Sequence, residues 1–227
     1  MDRKNTQTTH NSRKLWACGI GSIAVSALLI PPIMELSTPS VYSAVASDYS
    51  LSATPFASER QQTCKAVYSH LKTGDGSAAI AFADRAEITF NHNFVWNKLE
   101  LAAQCRNPDL KKYGIGKDPG TSVTLALTEL KNLQERSKRD QDSRGFAGVV
   151  FVQEAENGPN QPKLDFDEIK TLIQEINKNR GVVAIIGPTG ILKEQLKNHL
   201  KDEKAEVCSF AEINYCVDWS FQLARKL

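Results

Sequence analysis

A short polar segment places three oxygen-bearing side chains at alternate positions. Asp48, Ser50 and Ser52 stand in the run Asp48-Tyr49-Ser50-Leu51-Ser52. A carboxylate and two hydroxyls spaced in this way can direct their oxygens toward one point, which suits a hard divalent cation such as Mg²⁺, with Mn²⁺ or Ca²⁺ as alternatives. The competing interpretation is a polar turn that caps the next helix, because Ser and Asp are common in turns for their local hydrogen bonds.

Two further segments offer oxygen ligands. Thr121 follows Pro119-Gly120 at the start of a Leu-rich helical pattern, where its hydroxyl would lie at the helix N-terminus. Glu154 comes at the end of the apolar run AGVVFV, so its carboxylate is expected at the mouth of a sheet. None of the three segments contains His or Cys, which disfavours both a zinc site and a nucleophile–base pair.

The elements that must position these residues alternate between strands and helices. Continuous apolar runs of strand length recur between amphipathic helical patterns, which predicts a doubly wound α/β fold whose sheet is covered on both faces. The predicted sheet is mostly parallel and six-stranded, with a short antiparallel edge strand. Its strands are residues 41–46, 77–83, 87–90, 147–152, 182–186 and 206–210. Ligands bind such sheets at the carboxyl ends of the strands, where all three segments are expected to lie.

The N-terminal part of the chain differs in composition from the rest. Residues 1–14 are polar and basic, residues 15–34 carry no charge, and a short linker covers residues 36–40. An uncharged run of this length can cross a bilayer as a helix, which predicts an anchor over residues 15–35. The basic flank would stay in the cytoplasm, so a domain of residues 41–227 is expected on the extracytoplasmic side of a single-pass protein. A cleaved signal peptide is the alternative.

The cysteines leave two interpretations open. Four of the five lie in the predicted domain: Cys64, Cys105, Cys208 and Cys216. An exported domain permits disulfides, and the last two are close enough in sequence to pair, which would leave Cys64 with Cys105. Four buried free thiols are the other interpretation.

Composition excludes one class of partner. The formal net charge is +2, and much of the positive excess lies before the first apolar run. The remainder has no basic run interleaved with aromatic residues, which single-strand binding proteins need for stacking. No nucleic-acid partner is therefore expected.

The order of these motifs resembles the von Willebrand factor A domain. The resemblance covers about residues 40–210 and consists of D-x-S-x-S, then GD-x-x-x-AIAFADRAEI, then PGTS before a helix, then a buried strand that ends in an acid. It implies a metal-ion-dependent adhesion site that Asp48, Ser50, Ser52 and Thr121 approach directly or through water. Glu154 falls where the family usually has an Asp, often acting through a water. The implied function is a protein-binding, adhesion or assembly module, not an enzyme, that engages an acidic group of a protein partner.

Three departures from the family pattern bear on the site. Leu51 stands where the family favours Gly, Ala53 where Met is common, and Glu154 where Asp is usual. The extra methylene of Glu154 moves its carboxylate by about 1.5 Å, roughly one C–C bond, and Mg²⁺ is strict about geometry. These departures leave open a fold that has lost its ion and acts as a structural module. A further alternative is a metal-dependent hydrolase that uses Asp48 or Glu154 as a base.

Overall fold

A computed structural model describes residues 39–94, 98, 102–103, 105, 108–116, 121–140, 144–153 and 164–227. The strands are β1 (Val41–Asp48), β2 (Gly76–Phe82), β3 (Ala86–His92), β4 (Gly145–Phe151), β5 (Gly181–Ile186) and β6 (Ala205–Cys208). The helices are α1 (Ala57–His70), α2 (Leu110–Tyr113), α3 (Val123–Asp140), α4 (Phe166–Lys178), α5 (Gly190–Leu200) and α6 (Ile213–Ala224). The spacing of Leu99, Ala102 and Ala103 also predicts a helix over 95–105, and most of that range lies outside the described residues.

The strands form one six-stranded sheet in the order β3-β2-β1-β4-β5-β6. Neighbouring strands run parallel, except that β3 pairs antiparallel with β2 at one edge. This confirms the predicted fold class, including the antiparallel edge strand. In a doubly wound sheet of this order the carboxyl ends of β1 and β4 lie side by side at the centre.

Burial explains why the central strands are apolar runs. Every residue of β1, β2, β4 and β5 is buried, because helices cover both faces of the sheet. On one face α1 and α6 pack through residues such as Cys64, Val67 and Phe221. On the other face α3, α4 and α5 contribute residues such as Leu127 and Ile173.

The first strand is longer than its apolar run predicted. It was expected to end at Ala46, but it continues through Ser47 and Asp48. Ser47 pairs with Ala81 on one side and Phe151 on the other, and Asp48 pairs with Phe82. The pairing with β2 thus extends through both polar residues, so Asp48 is the last residue of the strand and not the first residue of a loop.

Both cysteine pairs are joined as disulfides. Cys64 of α1 bonds Cys105 across 41 positions, and Cys208 at the end of β6 bonds Cys216 of α6 across eight. The structure therefore agrees with the disulfide interpretation and not with four free thiols.

The two disulfides differ in the length of chain that they close, and removing them should differ accordingly. A longer loop loses more unfolded-state entropy when it is closed, so the Cys64→Ala/Cys105→Ala variant should lose about 1 kcal/mol more stability than Cys208→Ala/Cys216→Ala. Urea denaturation of the two double variants measures the difference. Equal losses would contradict this account.

One carboxylate organises the turn between β6 and α6. Glu212 Oε2 accepts hydrogen bonds from Ser209 N and Ser209 Oγ, each at 2.7 Å, and from Lys193 Nζ of α5 at 2.7 Å. The ammonium of Lys193 and the two donors of Ser209 lower the pKa of Glu212 to about 2. The turn therefore depends on the charged form of this side chain.

Glu212 should make part of the domain's stability dependent on pH. Because its folded-state pKa lies below its usual value, its contribution is complete above about pH 4.5 and is lost as pH falls toward 2. Glu212→Gln should therefore lower stability at pH 7 by about 1 kcal/mol, a value kept small because the pair is partly solvated. Urea denaturation from pH 7 to pH 3 should show the gap between variant and wild type closing. Glu194→Gln, on the exposed side of α5, is the control, and a gap independent of pH would refute the assignment.

The predicted N-terminal segments lie outside the described residues. This applies to the polar tail over 1–14, the anchor over 15–35 and most of the linker over 36–40. Within the part of the chain that is described, no helix combines the length and the apolar character needed to cross a bilayer.

Candidate metal site

Asp48 ends the central strand β1 at the carboxyl edge of the sheet, where its side chain is fully buried. Its Oδ1 accepts a hydrogen bond from Ser50 N at 2.8 Å. Its Oδ2 has no hydrogen-bond partner among the described residues. A buried carboxylate oxygen without a donor is costly, and a bound cation would satisfy it.

The electrostatics of Asp48 combine opposing effects. Burial raises its pKa, because the surroundings solvate the charged form poorly. The hydrogen bonds from Ser50, the backbone of Gln153 and the charge of Arg60 act in the opposite direction. The net direction is upward, so the protein's own groups incompletely compensate a charge at this position.

The two serines lie in the turn that follows Asp48. Ser50 is buried and Ser52 is exposed, and their hydroxyl oxygens are 3.1 Å apart. Ala53 N donates to Ser50 O at 3.1 Å, which closes the turn. The structure therefore brings Asp48, Ser50 and Ser52 together, as the alternating spacing predicts.

Leu51 does not obstruct this turn. Its side chain is 77% exposed, so it leaves the space between the serine hydroxyls free. Among the described residues only Arg180 combines a side chain with a positive φ, so position 51 does not need the backbone freedom of glycine. Leucine in place of the family's glycine is therefore compatible with the turn.

Thr121 lies at the same edge of the sheet, on the side of β2. It is buried, and its neighbour Ser122 caps α3, with Ser122 Oγ accepting from Leu125 N at 3.2 Å. Ser122 N donates to Ala83 O at 3.1 Å, which fixes the start of α3 against the residue after β2. Because β2 ends at Phe82, the partner of Asp48, Thr121 joins the polar residues at this edge.

Glu154 falls just outside the described residues, as does Gly120. Gln153, the residue before it, follows β4, and its backbone lowers the pKa of Asp48. A role for Glu154 in the site remains a prediction.

Sequence reasoning missed Arg60 of α1. Its guanidinium is buried, donates from NH1 to Asp48 O at 3.1 Å and lies 4.2 Å from the ring centroid of Tyr49. Tyr49 in turn donates its hydroxyl to Cys105 O at 3.0 Å, and burial raises the pKa of Tyr49 to about 12. The available signal was modest: Arg60 precedes Cys64 by four positions and Val67 by seven, the spacing of one helix face.

The donor set fits a hard divalent ion. One carboxylate, two serine hydroxyls and a threonine hydroxyl are oxygen ligands that leave positions for water, as Mg²⁺ prefers. The described part of the chain contains no cluster of three or more His, Cys, Asp or Glu side chains arranged for a metal. Any ion held here would therefore rely on hydroxyls and water beside a small number of carboxylates.

Comparison with known proteins gives similarity in structure alone. No protein-family model matches the chain, and no curated protein matches it in sequence. Among solved structures, the conserved hypothetical protein BatB from Bacteroides thetaiotaomicron superposes with a TM-score of 0.60 at 15% identity, covering 82% of this chain and 99% of that one.

Two other solved structures carry the name of the fold. A von Willebrand factor type A protein from Catenulispora acidiphila matches with a TM-score of 0.55 at 12% identity, covering 82% of this chain but 42% of that one. The vWF domain of the type V pili tip protein Mfa5 from Porphyromonas gingivalis matches with a TM-score of 0.55 at 11% identity, covering 82% and 95%. The chain therefore has the fold of a von Willebrand factor A domain.

Proposed function

We propose that this chain is a protein-binding module, not an enzyme, that holds a divalent cation at the carboxyl edge of its sheet and uses it to engage an acidic group of a protein partner. The observation that carries the proposal is Asp48 Oδ2, a buried carboxylate oxygen without a hydrogen-bond donor among the described residues. The turn that follows Asp48 carries two serine hydroxyls that are 3.1 Å apart.

Each residue of the set has a distinct role in this proposal. Asp48 supplies charge, and Ser50, Ser52 and Thr121 supply neutral oxygens directly or through water. Glu154 would act through a water. The ion, Mg²⁺ or else Mn²⁺ or Ca²⁺, would supply a strong local positive charge with an open coordination position. A partner's Asp or Glu would be attracted to that position because the few carboxylates of the site leave the ion's charge incompletely neutralised.

A binding role is also supported by a protein of the same fold. Mfa5 is the tip protein of type V pili, and its vWF domain matches 82% of this chain. Because the identity is 11%, this comparison supports the class of function and names no partner.

The location of the domain forms part of the proposal. Anchoring through residues 15–35, with the domain on the extracytoplasmic side, would present the site to partners outside the cytoplasm. The two disulfides support a location outside the cytoplasm, since disulfides persist in oxidising compartments.

The first experiment is calorimetric titration of the chelator-treated full chain with Mg²⁺ and Mn²⁺. Saturable binding of either ion is expected. A well-folded protein that binds neither ion would overturn the metal site and favour a structural module that has lost its ion.

A second experiment tests the acidic partner. Peptides that differ only in Glu or Gln at one position are arrayed and probed with the chain, with Mg²⁺ or with chelator. Binding that requires both the ion and the Glu is expected, and ion-dependent binding that is indifferent to the exchange would overturn this part. Turnover of a phosphoester or peptide that is lost on Asp48→Ala would instead indicate a hydrolase.

A further inference from the structure

Arg60 is a buried cation without an acidic partner among the described residues. It is only 9% exposed, and its Nε has no hydrogen-bond partner. None of the ion pairs formed by the described residues includes it. A buried guanidinium without a counter-charge is strongly disfavoured, so a compensating charge is expected nearby.

Asp48 is the acidic residue that Arg60 contacts. The contact is to the backbone, from Arg60 NH1 to Asp48 O at 3.1 Å, while one oxygen of the Asp48 carboxylate has no donor in the described part of the chain. Both side chains are therefore buried and incompletely satisfied in the same small region. The charge of Arg60 also lowers the pKa of Asp48, against the larger effect of burial.

Arg60 is held in place at this position. Its guanidinium stacks over the ring of Tyr49, and Tyr49 is fixed at both ends, by Tyr49 N donating to Phe82 O at 2.8 Å and by its hydroxyl donating to Cys105 O at 3.0 Å. The guanidinium would therefore stay near Asp48 when a cation binds there.

We infer that Arg60 is a positioning residue that balances the charge of Asp48 in the ion-free domain and competes with a divalent cation for that carboxylate. The competing role rests on the proposed function, whereas the balancing role does not. Two like charges near one buried carboxylate repel each other, so Arg60 weakens ion binding while it stabilises the ion-free fold. The residue thus sets the ion concentration at which the site fills.

The balancing role is tested by a double-mutant cycle of Asp48→Asn and Arg60→Met, measured as urea midpoints of the full chain in chelator. Each single variant should lower the midpoint, and the double variant should lose clearly less than the two losses combined. Arg144→Met is the matched control, since Arg144 is also buried and lies 5.7 Å from a tyrosine ring, that of Tyr42. Its effect should add to that of Asp48→Asn without coupling.

The competing role is tested by Mg²⁺ titration of the same variants. Arg60→Met should bind the ion about tenfold more tightly than wild type, because a repulsive charge has gone. Arg60→Lys keeps the charge and should stay near wild type. A role confined to packing would lower stability equally with and without Mg²⁺ and would leave affinity unchanged.

The outcomes separate the two proposals. Additive losses in the cycle overturn the inference, even where wild type binds Mg²⁺. Coupling without Mg²⁺ binding in either wild type or Arg60→Met upholds the balancing role and overturns both the competition and the proposed metal site. Coupling with equal or weaker affinity in Arg60→Met overturns the competition alone.

Discussion

Asp48→Asn is expected to weaken Mg²⁺ binding by more than about 100-fold while the domain stays folded. In the proposed site Asp48 would supply the charged ligand, and an amide oxygen carries no net charge to attract the ion. The fold should persist because Asn has the same shape and can still accept the hydrogen bond from Ser50 N. Calorimetric titration gives the affinity, and circular dichroism confirms the fold.

Asp84→Asn is the matched control for this prediction. Asp84 follows β2 at the same edge of the sheet, and its carboxylate accepts from Gly116 N at 2.9 Å. Losing this charge should leave the Mg²⁺ affinity within about threefold of wild type, since only a screened interaction at longer range is removed. Retained binding in Asp48→Asn, or binding lost equally in both variants, would place the ion elsewhere.

Arg225→Met is expected to lower the free energy of unfolding by about 3–5 kcal/mol, the range found when one member of a buried ion pair is removed. Arg225 NH2 lies 2.6 Å from Asp75 Oδ2, and the two side chains are 15% and 1% exposed. Among the described residues, the carboxylate without Arg225 would keep two backbone donors, Val41 N and Lys72 N, each at 2.8 Å. Urea denaturation at neutral pH measures the loss.

Two further variants test the cause of this loss. Adding Asp75→Asn to Arg225→Met should recover part of the stability, because no unpaired charge then remains buried at position 75. Lys131→Met, which removes the 2.8 Å surface pair with Glu175, should change stability far less. Similar losses in Arg225→Met and Lys131→Met would refute the explanation from burial.

The sheet could be predicted from the sequence because its strands are buried on both faces. The run AGVVFV can pack only inside, and it became β4, Gly145–Phe151. The N-cap of α4 depends on neighbouring residues alone, which also makes it predictable. Asp165 accepts hydrogen bonds from Asp167 N and Glu168 N, as an N-cap residue does. The end of β1 was misjudged, because the pairings that keep Ser47 and Asp48 in the strand come from distant residues.

One part of the candidate site could likewise be predicted from the sequence, and another part could not. The association of Asp48, Ser50 and Ser52 follows from spacing within a single turn and could be predicted. The position of Arg60 depends on how α1 packs over Tyr49, which a helical pattern alone does not specify. The choice between disulfides and free thiols also required the fold, since it depends on Cα–Cα distances of 5.9 and 6.3 Å that the sequence does not contain.

The contact of Arg225 with Pro39 has a mechanical consequence. Arg225 NH1 donates to Pro39 O at 2.6 Å, so the chain enters this domain, and its last helix ends, at the amino edge of the sheet. Asp48 lies at the other end of the eight-residue strand β1, about 23 Å from Val41 at a rise of 3.3 Å per residue. A pull between Pro39 and a ligand at Asp48 would run lengthwise along a strand that is hydrogen-bonded on both sides. The covalent backbone of β1 would carry such a load directly, so neither hydrogen-bonded ladder would have to shear or open to resist it.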